Sequence, residues 1–153
     1  MTEPVIKSLE VACAADQAFD LFVSQITTWW PLDRHAVSVA DGKAAQAVTI
    51  EAKQGGAVYE TMHNGARADW GKVLQIEPGE QITMSWHPGT NADTPTQVSV
   101  TFQDMMEGRT RVTLEHSGWD IWGARANEMR NNYAAGWDKV LGEHYAGAFD
   151  GGV

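Results

Sequence analysis

The sequence contains one cysteine, Cys13, among its 153 residues, so an internal disulfide bond is impossible. Cations are also scarce, because 11 Lys and Arg stand against 20 Asp and Glu, and the net charge is -9 at pH 7. Nucleic acids and anionic lipid surfaces are bound mainly through Lys and Arg. We therefore expect neither nucleic acid nor a membrane among the partners.

Long apolar runs are absent as well. No stretch approaches the roughly 20 apolar residues that span a bilayer. The start, MTEPVIKSLEVAC, lacks the basic residues and apolar stretch of a secretory signal, so we expect a cytoplasmic protein. Hydrophobic residues make up 43% and charged residues 20%, which is typical of a globular chain. The length predicts one domain over residues 1–153.

Motifs for cofactors, metals and nucleophiles are missing too. The five histidines are scattered, without the spacing that places two on one helix face and without a cysteine pair. Neither a glycine-rich phosphate-binding motif nor a G-x-S-x-G nucleophile elbow occurs. We predict no metal and no cofactor. The sequence leaves open whether the protein is an enzyme, and it favours a protein without catalytic activity.

Tryptophan, by contrast, is abundant. The seven copies are Trp29, Trp30, Trp70, Trp86, Trp119, Trp122 and Trp137. Each supplies a large apolar surface with a single hydrogen-bond donor, so such residues both fill cores and line pockets. Trp29 and Trp30 directly precede Pro31, and we expect one of the two to be exposed.

Alternating apolar residues predict seven strands. They cover residues 4–13, 46–52, 57–63, 68–77, 81–87, 96–105 and 109–116. The connections among the last six strands are short and contain the turn sequences Asn64–Gly65 and Pro78–Gly79. Short connections between consecutive strands indicate an antiparallel meander.

Helical spacing of apolar residues occurs in two regions. After the first strand a short helix begins near Asp16, and a second helical piece over 25–30 ends at Pro31. The polar segment 32–46 is predicted to be a loop. A long helix over 124–148 closes the chain. Its apolar stripe consists of Ala126, Met129, Tyr133, Trp137, Val140, Leu141, His144 and Ala148.

This order of elements leaves one long helix to cover the concave face of a curved sheet. A helix about 10 Å thick cannot fill a wide trough, so large side chains plug the remaining space or a cavity remains. The predicted fold class is therefore α+β. A seven-stranded curved antiparallel sheet carries two short helices after its first strand and a long C-terminal helix on its concave face.

Several ordered blocks carry a family resemblance: GGAVYETMHNG, ADWGKVLQIEPGEQITMSW, RTRVTLEHSGW and NNYAAGWDKVL. They resemble the START-like helix-grip superfamily (the SRPBCC group, which includes Bet v-like proteins). Within it they are similar to the bacterial branch named after the heat-shock-protein-90 ATPase activator homologue. The resemblance implies a deep apolar cavity between sheet and C-terminal helix. It also implies binding of lipids, sterols or polyketides, with cyclisation or hydrolysis in some members.

The family name does not make this chain a chaperone activator. The eukaryotic activator is a two-domain protein with a separate chaperone-binding domain, for which a chain of 153 residues has no room. We therefore do not expect a chaperone interaction.

His116 is the first candidate for acid/base catalysis. It shares a strand face with Val112 and Leu114, so it points inward near the end of its strand. One interpretation is a core histidine bonded to the backbone or Ser117. The other is a polar group at the cavity mouth that bonds a ligand. A general base would also need an orienting carboxylate. Asp120 is near in sequence, and its alternative role is to cap the helix.

Glu60 is the second candidate. In the favoured interpretation it faces inward with Val58 and loses its hydration, so it needs a partner such as Arg111 or Lys72. A buried acid of this kind would be the best catalytic group in the chain. In the alternative, Tyr59 faces inward and Glu60 is a solvated surface charge.

The aromatic candidates complete the predicted site. Trp70 alternates with Leu74 along one strand and Trp86 with Met84 along the next, which indicates core packing as the default. Trp119, Tyr133 and Trp137 lie on the long helix or at its entrance and are predicted to line the cavity. The predicted ligand-binding set is Glu60, Trp70, Trp86, His116, Trp119, Tyr133 and Trp137.

Three functions follow as hypotheses. The first is a protein that binds a hydrophobic small molecule, aromatic or lipid-like, in the cavity. The second is an enzyme of the same fold, similar to a polyketide cyclase or hydrolase, with Glu60 or His116 as acid or base. The third is a co-chaperone-like interaction module, which would show an exposed apolar patch. Exposed strand edges also suggest a homodimer.

Overall fold

The seven predicted strands form one antiparallel sheet in the computed structural model, which describes residues 2–89 and 93–150. The strands are β1 (Val5–Val11), β2 (Ala47–Ile50), β3 (Ala57–Thr61), β4 (Arg67–Glu77), β5 (Gln81–Trp86), β6 (Thr96–Asp104) and β7 (Thr110–Ser117). Their order across the sheet is β1-β7-β6-β5-β4-β3-β2, and every neighbouring pair is antiparallel. The meander and the α+β helix-grip class are confirmed.

Two short helical elements follow β1, as predicted. Helix α1 (Ala15–Val23) buries Ala18, Phe19 and Phe22 against the sheet, and a 3₁₀ turn covers Ile26–Thr28. The segment 32–46 is not loop throughout, because a 3₁₀ helix forms over Val37–Asp41. The loop prediction was wrong there because the element depends on a contact with a distant strand, described below.

The long C-terminal helix is confirmed in position, but its buried stripe differs from the prediction. A 3₁₀ segment (Trp119–Arg125) leads into α2 (Ala126–Lys139), a π-helical segment (Val140–Tyr145) and α3 (Ala146–Asp150). His144 is exposed and Tyr145 is buried instead. A π-helix bonds residues five apart rather than four, which places Tyr145 on the buried face together with Val140, five residues earlier. None of the helices within residues 2–89 and 93–150 has the length and apolar character needed to cross a membrane.

Two irregularities in β4 also change the predicted faces. The pairing of β4 with β3 shifts register between Val58 and Tyr59 of β3. Its pairing with β5 shifts register between Val73 and Gln75 of β4. Each extra residue reverses the alternation of side chains. As a result Trp70 and Val73 are buried, whereas Leu74, predicted on the face of Trp70, is 44% exposed.

The core lies between the sheet and the C-terminal helix. The inward positions predicted for β7, namely Val112, Leu114 and His116, are all fully buried. Trp29 and Trp30 are both buried as well, so the expectation that one is exposed was wrong. Their indole N–H groups donate to the carbonyls of Leu21 and His35, which removes the need for water.

Candidate functional site

A cleft of about 410 Å³, partly open to solvent, lies between α2, the end of β5, β4 and the segment after Pro31. Its lining consists of Trp30, Arg34, His35, Ala36, Val37, Ala40, Trp70, Trp86, Pro88, Gly89, Tyr133, Gly136, Trp137 and Val140. Small-molecule sites in proteins typically occupy about 300–1,000 Å³ and have mostly apolar walls with few polar groups. The cleft falls within that class.

Four indole rings form one wall of the cleft. Ring centroids lie 5.1 Å apart for Trp30 and Trp70, 5.5 Å for Trp70 and Trp86, and 5.6 Å for Trp86 and Trp137. The rings are tilted or edge-on to one another, which is the arrangement that aromatic quadrupoles favour. The cluster plugs most of the trough above the sheet, since Trp70 is fully buried and only small edges of Trp30, Trp86 and Trp137 stay accessible toward the cleft.

A close approach between β4 and β5 holds Trp70 and Trp86 together. Gly71 allows it, because a Cβ atom at Gly71 would lie 1.8 Å from the carbonyl oxygen of Ser85. No other residue fits that position without moving a strand. Trp86 follows Ile82 and Met84 on the inward face of β5, which carries it to the cleft at the end of the strand.

Glu60 is fully buried, so its predicted inward orientation is confirmed. Its partners are not Arg111 or Lys72, which are exposed. Oε1 accepts from the backbone N–H of Val37 at 2.6 Å and from the Trp70 indole at 3.1 Å. Oε2 accepts from the backbone N–H and the hydroxyl of Ser38, at 2.9 and 2.7 Å.

These four donors give Glu60 a structural role. They match a carboxylate, which only accepts hydrogen bonds, and they occupy both of its oxygens. The acid thereby fixes the start of the 3₁₀ helix, whose residues Val37 and Ala40 line the cleft. Glu60 itself does not line the cleft, so the carboxylate positions a wall rather than facing a ligand.

His116 is enclosed by a chain of hydrogen bonds. The Trp137 indole donates to Nδ1 at 2.9 Å, and Nε2 lies 2.7 Å from the Thr96 hydroxyl. That hydroxyl donates to the Trp86 carbonyl at 3.0 Å, so Nε2 carries the proton and donates to Thr96. Burial lowers the pKa of His116 from 6.5 to about 3.

His116 is therefore a neutral core histidine. Both ring nitrogens are occupied, and the nearby Asp120 accepts from the backbone N–H of Thr2 rather than orienting the ring. Trp119 is buried beside it, with ring centroids 4.2 Å apart, and donates to the His116 carbonyl. Neither His116 nor Trp119 lines the cleft, contrary to the predicted site.

The structure thus divides the predicted ligand-binding set. Trp70, Trp86, Tyr133 and Trp137 come together at the cleft, while Glu60, His116 and Trp119 lie behind it. Arg34, His35 and Gly136 also line the cleft and were not among the predicted site residues. The signal available was the pair Arg34–His35 near Pro31, but their segment reaches the cleft through contacts with Glu60 and with the Trp30 indole that the sequence does not show.

Arg34 and His35 supply polar groups at the cleft mouth. Arg34 is exposed, and its guanidinium has no hydrogen bond or ion pair with any residue in the described ranges. The pKa of His35 is lowered, mainly by burial and then by the nearby His144, Lys139 and Arg34, with Asp33 opposing. In the part of the chain that the structure describes, no three His, Cys, Asp or Glu side chains could hold a metal ion.

Comparison with solved structures gives many similar folds. An anthrahydroquino-gamma-pyrone synthase, Txn09, is 28% identical over 83% of this chain and 84% of that chain, with a TM-score of 0.58. The self-sacrificing resistance protein CalC from Micromonospora echinospora is 23% identical over 97% and 94%, with a TM-score of 0.70. Protein MLL2253 from Mesorhizobium loti is 14% identical over 99% of both chains, with a TM-score of 0.71.

The last two likenesses concern the fold alone. Among curated proteins no sequence matches significantly. The model of the family "Activator of Hsp90 ATPase homolog 1-like protein" matches residues 12–144, which is most of the chain. The protein therefore belongs to the Activator of Hsp90 ATPase homolog 1-like family, within the helix-grip superfamily.

Proposed function

We propose that the protein binds a planar hydrophobic small molecule, aromatic in character, in the tryptophan-lined cleft. The observation that carries the proposal is the convergence of Trp30, Trp70, Trp86 and Trp137 on one opening of about 410 Å³. The indole edges that reach the cleft offer edge-on contacts to a flat ring system, at little cost in side-chain entropy because the rings are already packed.

The size of the cleft sets the expected affinity. A ligand of two or three fused or linked rings has about 17 non-hydrogen atoms, and about 0.5 kcal/mol per atom gives a Kd near 1 μM. Burial of apolar surface supplies this energy at roughly 25 cal/mol per Å².

A second candidate is an enzyme that acts on an aromatic polyketide. The 28% identity to the synthase Txn09 supports it. Glu60 and His116, the acid/base groups first considered, have no free acceptor toward the cleft, so Arg34, His35 and Tyr133 would have to serve the chemistry. A change in the absorption spectrum of an anthrahydroquinone-type substrate, dependent on the protein, would distinguish turnover from binding.

The interaction-module hypothesis receives less support. The large apolar residues that are exposed in the described ranges are Ile6, Leu74, Met106 and Ile121. They lie on four different elements, so they do not mark a single docking patch. A homodimer, a cytoplasmic location and a single domain over residues 1–153 stay predictions.

The binding proposal is tested by titrating the neutral dye N-phenyl-1-naphthylamine and following quenching of tryptophan fluorescence. A Gly136→Leu variant places a side chain in the cleft, since a Cβ there meets only His35, at 3.6 Å. Gly147→Leu is the matched control, because a Cβ at Gly147 on α3 meets nothing within 4 Å.

We expect saturable quenching in the wild type and in Gly147→Leu, and at least tenfold weaker binding in Gly136→Leu. Thermal unfolding by circular dichroism checks that both variants are folded. Absence of quenching in the wild type, or equal affinities for the two variants, would contradict the proposal.

A further inference from the structure

We propose that the ligand carries an anionic group, such as a carboxylate, phenolate or sulfonate, beside its aromatic rings, and that Arg34 binds this group. The inference rests on the proposed function and adds the charge of the ligand to it. It arises from the distribution of cations around the cleft and from the free guanidinium at its mouth.

The charged groups near the mouth of the cleft are mostly positive, whereas the whole chain is negative. The net charge is -9, yet the groups that act electrostatically on His35 are mostly basic: Arg34 beside it, and Lys139 and His144 from the C-terminal helix. Asp33 is the acidic group acting there. In a strongly acidic protein, a basic opening next to an apolar wall attracts anions locally and repels cations.

Arg34 is an unpaired arginine that lines the cleft, unlike Arg67 and Arg125, which are paired, and Arg111, which lies away from the cleft. Arg67 pairs with Asp69 at 2.8 Å, and Arg125 pairs with Glu128 at 3.3 Å. Arg34 lines the cleft, and its guanidinium has no such partner within the described residues. Its planar fork of five N–H donors is therefore available, and that fork matches the geometry of carboxylate and other oxyanion groups.

The acidic groups close to the cleft do not compete for Arg34. Asp33 forms no ion pair with it among the described side chains. Glu60 lies behind Val37, where four donors hold its oxygens. His35, whose pKa is lowered, is neutral near pH 7 and can bond a ligand without adding charge. The positive charge that lines the cleft is therefore that of Arg34.

These features define the ligand class. The rings of the ligand lie against the indole wall, and its anionic end reaches the mouth, where Arg34 stands on the rim in contact with solvent. A neutral hydrocarbon makes the same contacts with the indole wall but leaves the guanidinium without a partner. An aromatic anion is thus bound more tightly than its neutral counterpart of equal shape.

Two dyes that differ by one sulfonate test this. 1-Anilinonaphthalene-8-sulfonate and neutral N-phenyl-1-naphthylamine share a ring skeleton, and each is titrated against the wild type, Arg34→Gln and Arg111→Gln. Arg111 is the matched control, because it is exposed on β7 and unpaired within the described residues, but does not line the cleft.

We expect Arg34→Gln to weaken binding of the sulfonate dye roughly fivefold, which corresponds to the loss of an exposed ion pair of about 1 kcal/mol. The affinity for the neutral dye should stay unchanged. Arg111→Gln should change neither. In the wild type, high salt should weaken binding of the sulfonate dye and leave binding of the neutral dye unchanged. Gly136→Leu should weaken both dyes, which places them in the cleft.

The outcomes separate the two proposals. If Arg34→Gln affects both dyes equally or neither, or if the sulfonate still binds Gly136→Leu, the anionic ligand is ruled out while neutral-dye binding in the cleft stands. If the wild type does not bind the neutral dye, the proposed function fails and the inference fails with it, whether or not the sulfonate binds.

Discussion

The indole N–H of Trp137 donates to Nδ1 of His116 over 2.9 Å. The same imidazole continues through Thr96 to the carbonyl of Trp86, so two tryptophans of the cleft wall are joined through one buried histidine. The bond from Trp137 requires an unprotonated Nδ1, because a proton there would face the indole N–H. The neutral form of His116 is therefore part of the native structure.

This arrangement makes stability depend on pH. Burial lowers the pKa of His116 from 6.5 to about 3, so between these values the unfolded chain binds a proton that the folded protein does not. Stability from this group is complete above pH 6.5 and is lost as the pH falls toward 3, by up to about 1.4 kcal/mol per pH unit. Urea unfolding at a series of pH values measures the slope.

The His116→Gln variant isolates that contribution. An amide replaces only one of the two ring hydrogen bonds, so we expect a loss of about 2 kcal/mol near neutral pH. Since glutamine does not titrate, the variant should lose less stability than the wild type on acidification. Stability curves of wild type and variant that run parallel would show that His116 does not carry the effect.

Glu60→Gln should destabilise the cleft wall. The amide nitrogen that replaces one oxygen would face two donors, so two of four hydrogen bonds are lost and we expect about 2–4 kcal/mol of destabilisation. Because the 3₁₀ helix over Val37–Asp41 loses its anchor, dye affinity should fall as well. Glu115→Gln, at an exposed position of β7, is the control. Equal unfolding free energies for the two variants would refute the anchoring role.

Gly136→Ala and Gly71→Ala should have opposite effects on stability. A methyl group at Gly136 makes an ordinary contact of 3.6 Å with His35 and raises helix propensity by up to about 1 kcal/mol. At Gly71 it would overlap the carbonyl of Ser85, and overpacking of that kind costs about 3 kcal/mol. Thermal unfolding compares them. A destabilised Gly136→Ala variant would mean that the space between Gly136 and His35 is too small for a methyl group.

Binding of the sulfonate dye should strengthen as the solution is acidified. The pKa of His35 is lowered by burial and by His144, Lys139 and Arg34, with Asp33 opposing, and a bound anion would raise it again. His35 therefore has a higher pKa in the complex than in the free protein. The affinity for the sulfonate dye increases as the pH falls through the range between these two pKa values. His35→Asn should flatten this dependence, whereas the neutral dye should show none in either protein. A slope that persists in His35→Asn would assign the titration elsewhere.

The sequence predicted the sheet and its meander because alternation and turns are local signals. It also brought Trp70, Trp86, Tyr133 and Trp137 into one candidate set. It could not locate Arg34, because the 3₁₀ helix beside it is fixed by a carboxylate more than 20 residues away, at Glu60. Nor could it foresee the burial of Tyr145, since one turn of π-helix shifts the face of the helix by a residue.

We propose that a small planar molecule binds in the cleft, next to the cluster of four indoles. The most direct measurement is a ¹H–¹⁵N correlation spectrum of the seven indole N–H groups during titration with N-phenyl-1-naphthylamine. We predict shifts for Trp30, Trp70, Trp86 and Trp137, which line the cleft, and unchanged resonances for Trp29 and Trp122, which do not. Shifts confined to Trp29 and Trp122, or no shifts at all, would contradict binding in the cleft.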